Sequence, residues 1–397
     1  MTMAQRIGVG LISAGWMGTV HSRAYLAAPD KFPELGVTPE LVIVADTVKA
    51  NAQRLVDRLG YRRLTEDYRE VLNDPDVDVV SIAAPNFLHK EFALAAVAAG
   101  KPFWIEKPMG AGLADSTAIA EAVETSGLVT AVGFNYRHAP AIQHLRSLVR
   151  SGKLGRVTNV RVRFDADYSS AADGPRTWRF VKAQAGTGVL GDLLSHGFDL
   201  AQYLVGAITD VSAQTATFIT ERPQVAVGGV GHQVTAAAGG PMLPVENEDW
   251  AAAHVRFASG AVGTFESSRV AVGPRCEYGL AVYGTNGSAS WDFERMNELD
   301  VCLRDQGPYG YTRVLTDPSM GEFGRFQVGA GLGLSFDDLK AVEASLFLAS
   351  VASGRQLAPS VADGLAAATV VHAAEASVED GTWHGVPTPS GRTTFDA

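Results

Sequence analysis

The chain has 397 residues, of which 33 are basic and 43 acidic, and its formal net charge is -10. This charge does not suit a surface for nucleic acid or anionic lipid, and the length favours two domains with separate cores. The sequence contains no signal-peptide pattern and no apolar run of transmembrane length. We therefore expect a cytoplasmic protein with small-molecule partners, no nucleic acid and no membrane. Cys276 and Cys302 lack the spacing of a redox or zinc motif and are expected to be buried.

The first third of the chain alternates short β-branched runs with amphipathic helical patterns such as Glu91–Ala99 and Ala114–Glu124. This alternation is typical of βαβ units, which build a parallel sheet. The predicted strands are Ile7–Ile12, Leu41–Ala45, Val77–Ala83, Phe103–Ile105 and Leu128–Val132, with a less regular one near Tyr61–Arg63. The sequence therefore predicts an α/β domain over residues 1–132.

After Gly133 the strand-like segments are joined by turn signals instead of helices, which predicts antiparallel pairing. These segments are Val157–Phe164, Ala253–Phe257, Ala261–Arg269, Tyr278–Tyr283 and Ser288–Phe293. Ser259-Gly260 and Asn286-Gly287 lie where hairpins would turn. Helical patterns cover Val189–Leu204, Leu339–Ala349 and Val361–Ser377, and residues 221–244 read as a long loop. We expect residues 133–397 to form an α+β domain with a large, mostly antiparallel open sheet.

The first strand leads into a glycine-containing turn, Ser13-Ala14-Gly15-Trp16-Met17-Gly18. It matches the dinucleotide fingerprint GxGxxG of a Rossmann domain, with serine at the first glycine position. In that motif the second glycine lets the backbone approach a pyrophosphate and the third allows close helix packing, roles that Gly15 and Gly18 retain. The N–H groups at the start of the helix would face the anion. A simple packing turn is the alternative interpretation.

The second strand ends in Asp46, where a carboxylate can accept hydrogen bonds from both ribose hydroxyls of a dinucleotide. An acidic side chain there repels a 2'-phosphate, so the sequence favours NAD over NADP, although Lys49 lies nearby. A strand-end cap is the alternative role for Asp46.

Two polar segments follow later strands at the edge where open α/β sheets bind ligands. They are Pro85-Asn86 and Glu106-Lys107-Pro108. Lys107 could donate to a reacting oxygen and stabilise negative charge as it develops. A surface salt bridge between Lys107 and Glu106 is the alternative.

Asp192 and His196 are four residues apart on a predicted helix and would share one face. The carboxylate could orient the imidazole, and histidine is suited to accept a hydroxyl proton near neutral pH. The same spacing also fits a metal pair or a helical charge pair. Because no further ligands lie nearby, we predict no metal.

Four motifs occur together in a characteristic order: Gly15-Trp16-Met17-Gly18, Glu106-Lys107-Pro108, Gly133-Phe134-Asn135-Tyr136-Arg137 and Gly191-Asp192-x3-His196. With them the chain resembles the Gfo/Idh/MocA oxidoreductase family over nearly its whole length. The resemblance implies a Rossmann domain followed by a mostly antiparallel sheet, with Lys107, Asp192 and His196 carrying the chemistry and Glu106 beside the nicotinamide ribose. The predicted NAD contacts are Ser13, Gly15, Trp16, Met17, Asp46, Ala84, Asn86, His89, Glu106, Lys107 and Asn135. Ser13 is the clearest departure from the family pattern.

We expect an NAD-dependent dehydrogenase that oxidises a secondary ring hydroxyl of a sugar or cyclic polyol. His196 would take the hydroxyl proton, Lys107 would hold the oxygen, and Asp192 would orient His196 or bind a neighbouring hydroxyl. Uncharged polyols need directional hydrogen bonds and an apolar face, to which Tyr168 and Arg179 could also contribute. The predicted substrate contacts are Lys107, Tyr136, Arg163, Asp165, Trp178, Asp192 and His196. Trp178 has the alternative of a core aromatic, and Arg163 that of a half-exposed strand residue.

The C-terminal half looks similar to family members that act on pyranoses such as levoglucosan, with those that act on inositol next. Two other classes remain open: an NAD-dependent glycoside hydrolase that oxidises its substrate transiently, and a non-catalytic dinucleotide-binding regulator. An open sheet needs a cover, so we also expect a homo-oligomer, a dimer or a tetramer.

Overall fold

The computed structural model describes residues 5–226, 235–305, 307 and 309–387. Within this part, the chain forms two compact units. The first contains residues 5–135 and 336–365 together with 226 and 235. The second contains 136–225, 236–335 and 366–387, so far as these are described. The first unit therefore includes Phe336–Leu365, a segment from late in the chain. The domain boundary predicted after residue 132 places this segment in the second domain.

The strands are numbered in chain order. They are β1 (Gln5–Ile12), β2 (Val37–Ala45), β3 (Arg63–Thr65), β4 (Val79–Ile82), β5 (Phe103–Ile105), β6 (Thr130–Val132), β7 (Val157–Asp165), β8 (Ile208–Ala216), β9 (Glu221–Pro223), β10 (Met242–Pro244), β11 (Trp250–Phe257), β12 (Val262–Ser268), β13 (Glu277–Gly284), β14 (Gly287–Asp292), β15 (Glu298–Leu303), β16 (Thr312–Leu315) and β17 (His384–Gly385).

The helices follow the same numbering. They are α1 (Trp16–Lys31), α2 (Lys49–Leu59), α3 (Tyr68–Asn73), α4 (Asn86–Ala98), α5 (Leu113–Ser126), α6 (Pro140–Arg150), α7 (Lys182–Ala185), α8 (Val189–Asp192), α9 (Leu194–Val205), α10 (Phe323–Phe326), α11 (Phe336–Ser353) and α12 (Val361–Asp380). None of the helices in the described residues is both long and apolar enough to cross a membrane.

The first unit is built around a parallel sheet, as predicted. In the described residues its six strands lie in the order β3-β2-β1-β4-β5-β6, and every neighbouring pair is parallel. The uncertain strand expected near Tyr61–Arg63 lies slightly later, as β3. Helix α11 supplies Phe347 and Leu348 to the core that also holds Val9 and Trp104. A helix far along the chain thus completes the core of the N-terminal unit.

The second unit contains the large, mostly antiparallel sheet that the sequence predicts. Its nine strands in the described residues have the order β16-β15-β14-β13-β7-β12-β11-β8-β17, and only β7 and β12 pair in parallel. Along β7 the side chains alternate, with Val162 and Phe164 buried and Arg161 and Arg163 exposed. The sheet therefore has one packed face and one exposed face at this strand.

Both predicted hairpins form, and glycine is needed at each turn for a different reason. Gly260, between β11 and β12, has φ +82°, a conformation that glycine adopts without a steric penalty. Gly287 begins β14 where a Cβ would lie 2.6 Å from the carbonyl oxygen of Cys302. Glycine is needed there for close approach of the backbone.

Three expectations are corrected. The helix predicted over Val189–Leu204 is two helices, because the backbone breaks at Leu193 between α8 and α9. The ends of the predicted 221–244 loop pair as the antiparallel strands β9 and β10, while residues 227–234 of that loop lie outside the described residues. Cys276 and Cys302 are half-buried, not buried.

Candidate functional site

The glycine turn after β1 keeps its shape despite the serine at its first position. Ser13 has φ +79° and is the one non-glycine residue with positive φ in the described part of the chain. Its N–H donates to the carbonyl oxygen of Ala45, at 2.8 Å. A Cβ on Gly18 would lie 2.2 Å from the main-chain carbonyl oxygen of Ser13, so only glycine permits this packing. Ser13 therefore adopts the conformation for which the fingerprint normally uses glycine.

The start of α1 fits the pyrophosphate of a dinucleotide. The N-cap is Gly15, which brings no side-chain acceptor to the first turn of this 16-residue helix. The first main-chain N–H groups and the positive end of the helix dipole are therefore available to an anion. Trp16 and Met17 form this first turn, and Trp16 is largely exposed.

Asp46 follows β2 and supports the same turn. Its Oδ2 accepts the N–H of Ala14 at 2.8 Å, and its Oδ1 accepts the N–H of Val48 at 2.8 Å. Arg54 donates to the carbonyl oxygen of Ala14 from the other side, at 2.9 Å. Asp46 thus caps main-chain N–H groups, as its alternative interpretation predicts. It is also a half-buried carboxylate at the edge of the sheet, which suits a ribose hydroxyl.

His89 joins the loops that follow β4 and β5. Its Nε2 lies 2.7 Å from the carbonyl oxygen of Ala84, and its Nδ1 lies 2.9 Å from that of Pro108. Burial lowers the pKa of His89. The ring lies between two backbone segments of the ligand-binding edge and, when neutral, donates to one of the two carbonyl oxygens; the buried Asn86 that begins α4 lies close by in the sequence. Direct contact of Ala84, Asn86 and His89 with NAD stays a prediction.

Glu106 follows β5 and is almost fully buried. Its carboxylate pairs with Lys340 of α11 and, at 2.9 Å, with His21 of α1. These two partners come from distant parts of the chain and were not predicted from the sequence. Lys107 itself is half-buried at the end of the same strand.

Asn135 follows β6 and offers an unsatisfied donor. It is 2% exposed, and its Nδ2 has no hydrogen-bond partner among the described residues. A buried amide without a partner is costly unless a ligand completes it. This orphaned donor fits a bound polar molecule and supports its prediction as a cofactor contact.

His196 lies in an aromatic setting in the second unit. The imidazole is nearly buried, and the ring of Tyr136 meets it edge-on with centroids 4.7 Å apart. Phe164 packs at 6.2 Å, and Tyr278 donates through its hydroxyl to the carbonyl oxygen of His196 at 2.8 Å. Packing and a main-chain anchor together hold this part of α9.

Asp192 ends α8, just before the break at Leu193, and His196 lies in the first turn of α9. The hydroxyl of Tyr168 donates to Oδ2 of Asp192 at 2.8 Å. Burial, followed by the charge of Asp192, raises the pKa of Tyr168 well above its usual value, so the hydroxyl keeps its proton. The carboxylate is therefore oriented by a neutral donor.

Arg163 and Asp165, two of the predicted substrate residues, lie away from this cluster. Arg163 is on the exposed face of β7, opposite to Phe164, and pairs with Glu277. Asp165 ends the strand, 3.8 Å from Arg163. Trp178, a third predicted contact, is half-buried in a short 3-10 turn, with the guanidinium of Arg179 4.5 Å from its ring; its contact with the substrate stays a prediction. Among the predicted substrate residues, the structure therefore places Tyr136 against His196, whereas Arg163 lies on the opposite face of β7 from Phe164.

A buried polar cluster that the sequence reasoning missed supports these loops. Arg269 pairs with Asp249 at 2.8 Å and donates to Oδ1 of Asn247 at 3.0 Å, and Asn247 donates to the carbonyl oxygen of Arg179. Arg222 donates to main-chain oxygens of residues 169 and 171. The one available signal was the polar run Val245-Glu246-Asn247-Glu248-Asp249 before an apolar strand. In the described residues no group of three or more His, Cys, Asp or Glu side chains could hold a metal ion.

Comparison with protein families matches both halves of the chain. Residues 7–134 match the oxidoreductase family with an NAD-binding Rossmann fold. Residues 142–290 match the GFO/IDH/MocA C-terminal domain.

Known relatives extend this match to nearly the whole length. Levoglucosan dehydrogenase from Pseudarthrobacter phenanthrenivorans is 37% identical over 387 residues, covering 96% of this chain and 99% of that protein. A solved structure of levoglucosan dehydrogenase in complex with NADH has a TM-score of 0.91 at 35% identity, covering 97% of this chain and 100% of the other. Myo-inositol 2-dehydrogenase from Thermotoga maritima is 26% identical over 380 residues, covering 94% of this chain and 96% of that protein.

Proposed function

Because the chain belongs to the Gfo/Idh/MocA oxidoreductase family, whose Rossmann domain binds NAD, we propose that it oxidises a secondary ring hydroxyl of a sugar or cyclic polyol to a ketone. NAD, when bound, accepts the hydride that leaves the carbon of that hydroxyl. A levoglucosan-like pyranose is the first substrate to test and an inositol the second. This order follows the 37% and 26% identities to the two dehydrogenases that act on those compounds.

The observation that carries this proposal is the setting of His196. Its imidazole is 7% exposed and lies against the ring of Tyr136. A ring polyol presents apolar C–H faces and a rim of hydroxyls, so it suits a proton acceptor beside an aromatic wall. Asp192, held by Tyr168, adds an acceptor for a neighbouring hydroxyl in the same unit.

Each proposed catalytic residue has a role that follows from its chemistry. His196 takes the hydroxyl proton as the C–H bond breaks. Lys107 donates to the substrate oxygen and stabilises the negative charge that develops on it. Asp192 orients His196 or binds the adjacent hydroxyl, and Tyr136 and Trp178 supply aromatic contact.

The direct test is NADH formation from NAD, followed by absorbance, with levoglucosan, myo-inositol, glucose and 1,5-anhydroglucitol. His196→Ala removes the proposed base and should lower kcat by about 10²- to 10⁴-fold. Lys107→Met should lower kcat by about 10²- to 10³-fold. His372→Ala is the matched control, because His372 is an exposed histidine on α12 in the same unit and lies outside the large sheet. It should leave turnover unchanged.

Turnover of one ring polyol that is lost in His196→Ala and kept in His372→Ala would support the proposal. NAD binding with no NADH formed from any of the four compounds would contradict it. Aryl glycosides would then be the next panel: their hydrolysis without net NADH would indicate the hydrolase chemistry, and no reaction would indicate a regulator.

We also propose a homo-oligomer, a dimer or a tetramer. Support comes from the exposed face of the large sheet, where Arg161, His254 and Thr264 on three neighbouring strands are open to a second copy. Sedimentation showing a monomer at micromolar concentration would contradict this proposal. A cytoplasmic location stays a prediction.

A further inference from the structure

A buried charged network in the first unit links Glu106 to the late helix α11. Lys340 of α11 pairs with Oε1 of Glu106, and His21 of α1 places Nε2 2.9 Å from the same oxygen. The ammonium of Lys340 also lies 2.9 Å from Oε2 of Glu343, one turn along the helix. None of the four side chains is more than 9% exposed. Charges this far from water are tolerated only when they are paired.

The hydrogen bonds around His21 determine which of its nitrogens carries the proton. Nε2 faces the carboxylate of Glu106, which accepts when ionised, so Nε2 donates. Nδ1 lies 3.3 Å from the hydroxyl of Ser81 and accepts from it, and Ser81 lies 3.1 Å from the hydroxyl of Tyr25. Each group in this series therefore donates a hydrogen bond to the next. The hydroxyl of Tyr25 donates to Ser81, Ser81 donates to the neutral ring of His21, and that ring donates to Glu106.

The charge states follow from burial and pairing. Burial lowers the pKa of His21 to about 4, so this ring is neutral at pH 7. Burial acts to raise the pKa of Glu106, but the Lys340 ammonium and the His21 hydrogen bond outweigh it and hold that pKa well below its usual range. Burial raises the pKa of Glu343 to about 7. Glu106 is therefore an anion at neutral pH and is paired with the cation of Lys340. Glu343 is the residue of this network whose protonation changes near pH 7.

Glu106 directly follows β5, at the carboxyl edge of the parallel sheet where the dinucleotide turn also lies. We propose that Lys340 is a positioning residue of the cofactor site. Together with His21 it holds Glu106 as an oriented anion, so that a residue 234 positions later in the chain sets how much more tightly NAD+ is bound than NADH. This inference rests on the proposed function through the placement of Glu106 beside the nicotinamide ribose.

The physical reason is the charge of the nicotinamide ring. The oxidised ring carries a positive charge that the reduced ring lacks, so a nearby carboxylate stabilises NAD+ selectively. Without Lys340 the buried carboxyl of Glu106 loses its cation and takes up a proton. The selective attraction for NAD+ is then lost, while binding of the uncharged reduced ring changes little.

The test is the ratio of the two dissociation constants, Kd(NAD+)/Kd(NADH), measured by equilibrium dialysis at about pH 6, where Glu343 is mostly protonated. Lys340→Met should raise this ratio about tenfold, and Lys340→Arg, which keeps the charge, should change it less than about twofold. Glu343→Gln is the matched control, because it also alters a buried side chain that touches Lys340 but leaves the charge at this pH unchanged. Its ratio should equal that of the wild-type protein.

Folding of each variant is checked by circular dichroism and thermal unfolding. If Lys340→Met does not fold, the double variant E106Q/K340M serves in its place, because it removes both partners and leaves no unpaired buried charge between them. It should show the same raised ratio. An unchanged ratio, a lowered ratio, or an equal loss of affinity for both cofactors in the folded variant would overturn the proposal and leave Lys340 as a purely structural residue.

Sugar turnover is not part of this measurement. A wild-type protein that oxidises no sugar would contradict the proposed function, and the ratio would still decide the role of Lys340.

Discussion

Gly133 directly follows β6 and faces the carboxylate of Glu106. A Cβ on Gly133 would lie 2.6 Å from Oε2 of Glu106, 2.7 Å from Oε1 and 2.7 Å from the carboxyl carbon. Because van der Waals contact requires about 3.5 Å, the carboxylate would have to retreat by roughly 0.9 Å. We predict that Gly133→Ala displaces Glu106 and weakens both the fold and NAD binding.

The magnitude follows from what Glu106 would lose. Because Lys340 and His21 both bind Oε1 of Glu106, a shift of this size away from Gly133 is expected to stretch the 2.9 Å contact with His21 beyond hydrogen-bonding distance. A hydrogen bond to a charged group contributes about 1.5–3 kcal/mol, and overpacking a buried site costs about 1–3 kcal/mol. Displacement of the carboxylate relieves the overpacking, so these two costs are alternatives and are not added. We therefore expect the free energy of unfolding to fall by about 2–3 kcal/mol and NAD affinity to fall about tenfold.

Chemical denaturation followed by circular dichroism measures the first quantity, and isothermal titration calorimetry with NAD measures the second. Gly310→Ala is the control, because Gly310 is exposed and a Cβ there meets nothing within 4 Å. It should change stability by less than about 0.5 kcal/mol. If Gly133→Ala keeps wild-type stability and NAD affinity, the carboxylate of Glu106 is not held as the structure indicates, and the reasoning is refuted.

Three further changes test separate parts of the site. Tyr168→Phe removes the donor to Asp192 and should lower kcat/KM for the oxidised sugar about tenfold, measured from initial rates of NADH formation. Asp46→Asn keeps an acceptor for the Ala14 N–H but removes the charge that repels a 2'-phosphate. The ratio Kd(NADP)/Kd(NAD), measured by equilibrium dialysis, should therefore fall about tenfold. Burial raises the pKa of Glu343 from its ordinary 4.5 to about 7, so the folded protein keeps a proton that the unfolded chain releases, and stability falls as the pH rises from about 4.5 to about 7. Glu343→Gln should therefore flatten the fall of Tm between about pH 5 and pH 7.

Each of these expectations has a contradicting result. Wild-type kcat/KM in Tyr168→Phe would mean that its hydrogen bond does not support turnover. An unchanged cofactor preference in Asp46→Asn would assign Asp46 to capping alone. A Tm that falls as steeply in Glu343→Gln as in the wild-type protein would mean that another group titrates.

Local chemistry along the sequence determined the regular elements of this protein. The buried parallel strands appear as short apolar runs such as Val79–Ile82, and the strands of the large sheet as alternating runs such as Val157–Asp165. The dinucleotide turn was recognised because its glycines and the following helix are neighbours in the chain. Information of this kind lies within a few residues and needs no knowledge of distant partners.

Strands with weak patterns were missed for the same reason. Ile208–Ala216 alternates poorly and carries many polar side chains, so it is recognised as β8 only through its pairing with β11. The break at Leu193 also has no turn residue to announce it, because leucine favours a helix.

Only the tertiary structure decided which charges meet. Lys340 and Glu343 lie in an apolar helical pattern, and nothing near them in sequence shows that Lys340 pairs with Glu106, 234 residues earlier. Tyr168 and Asp192 likewise become partners only when the segment after β7 and the end of α8 are brought together. Such contacts depend on the folded positions of distant segments, and burial then makes them strong, because a charge removed from water must find its partner within the protein.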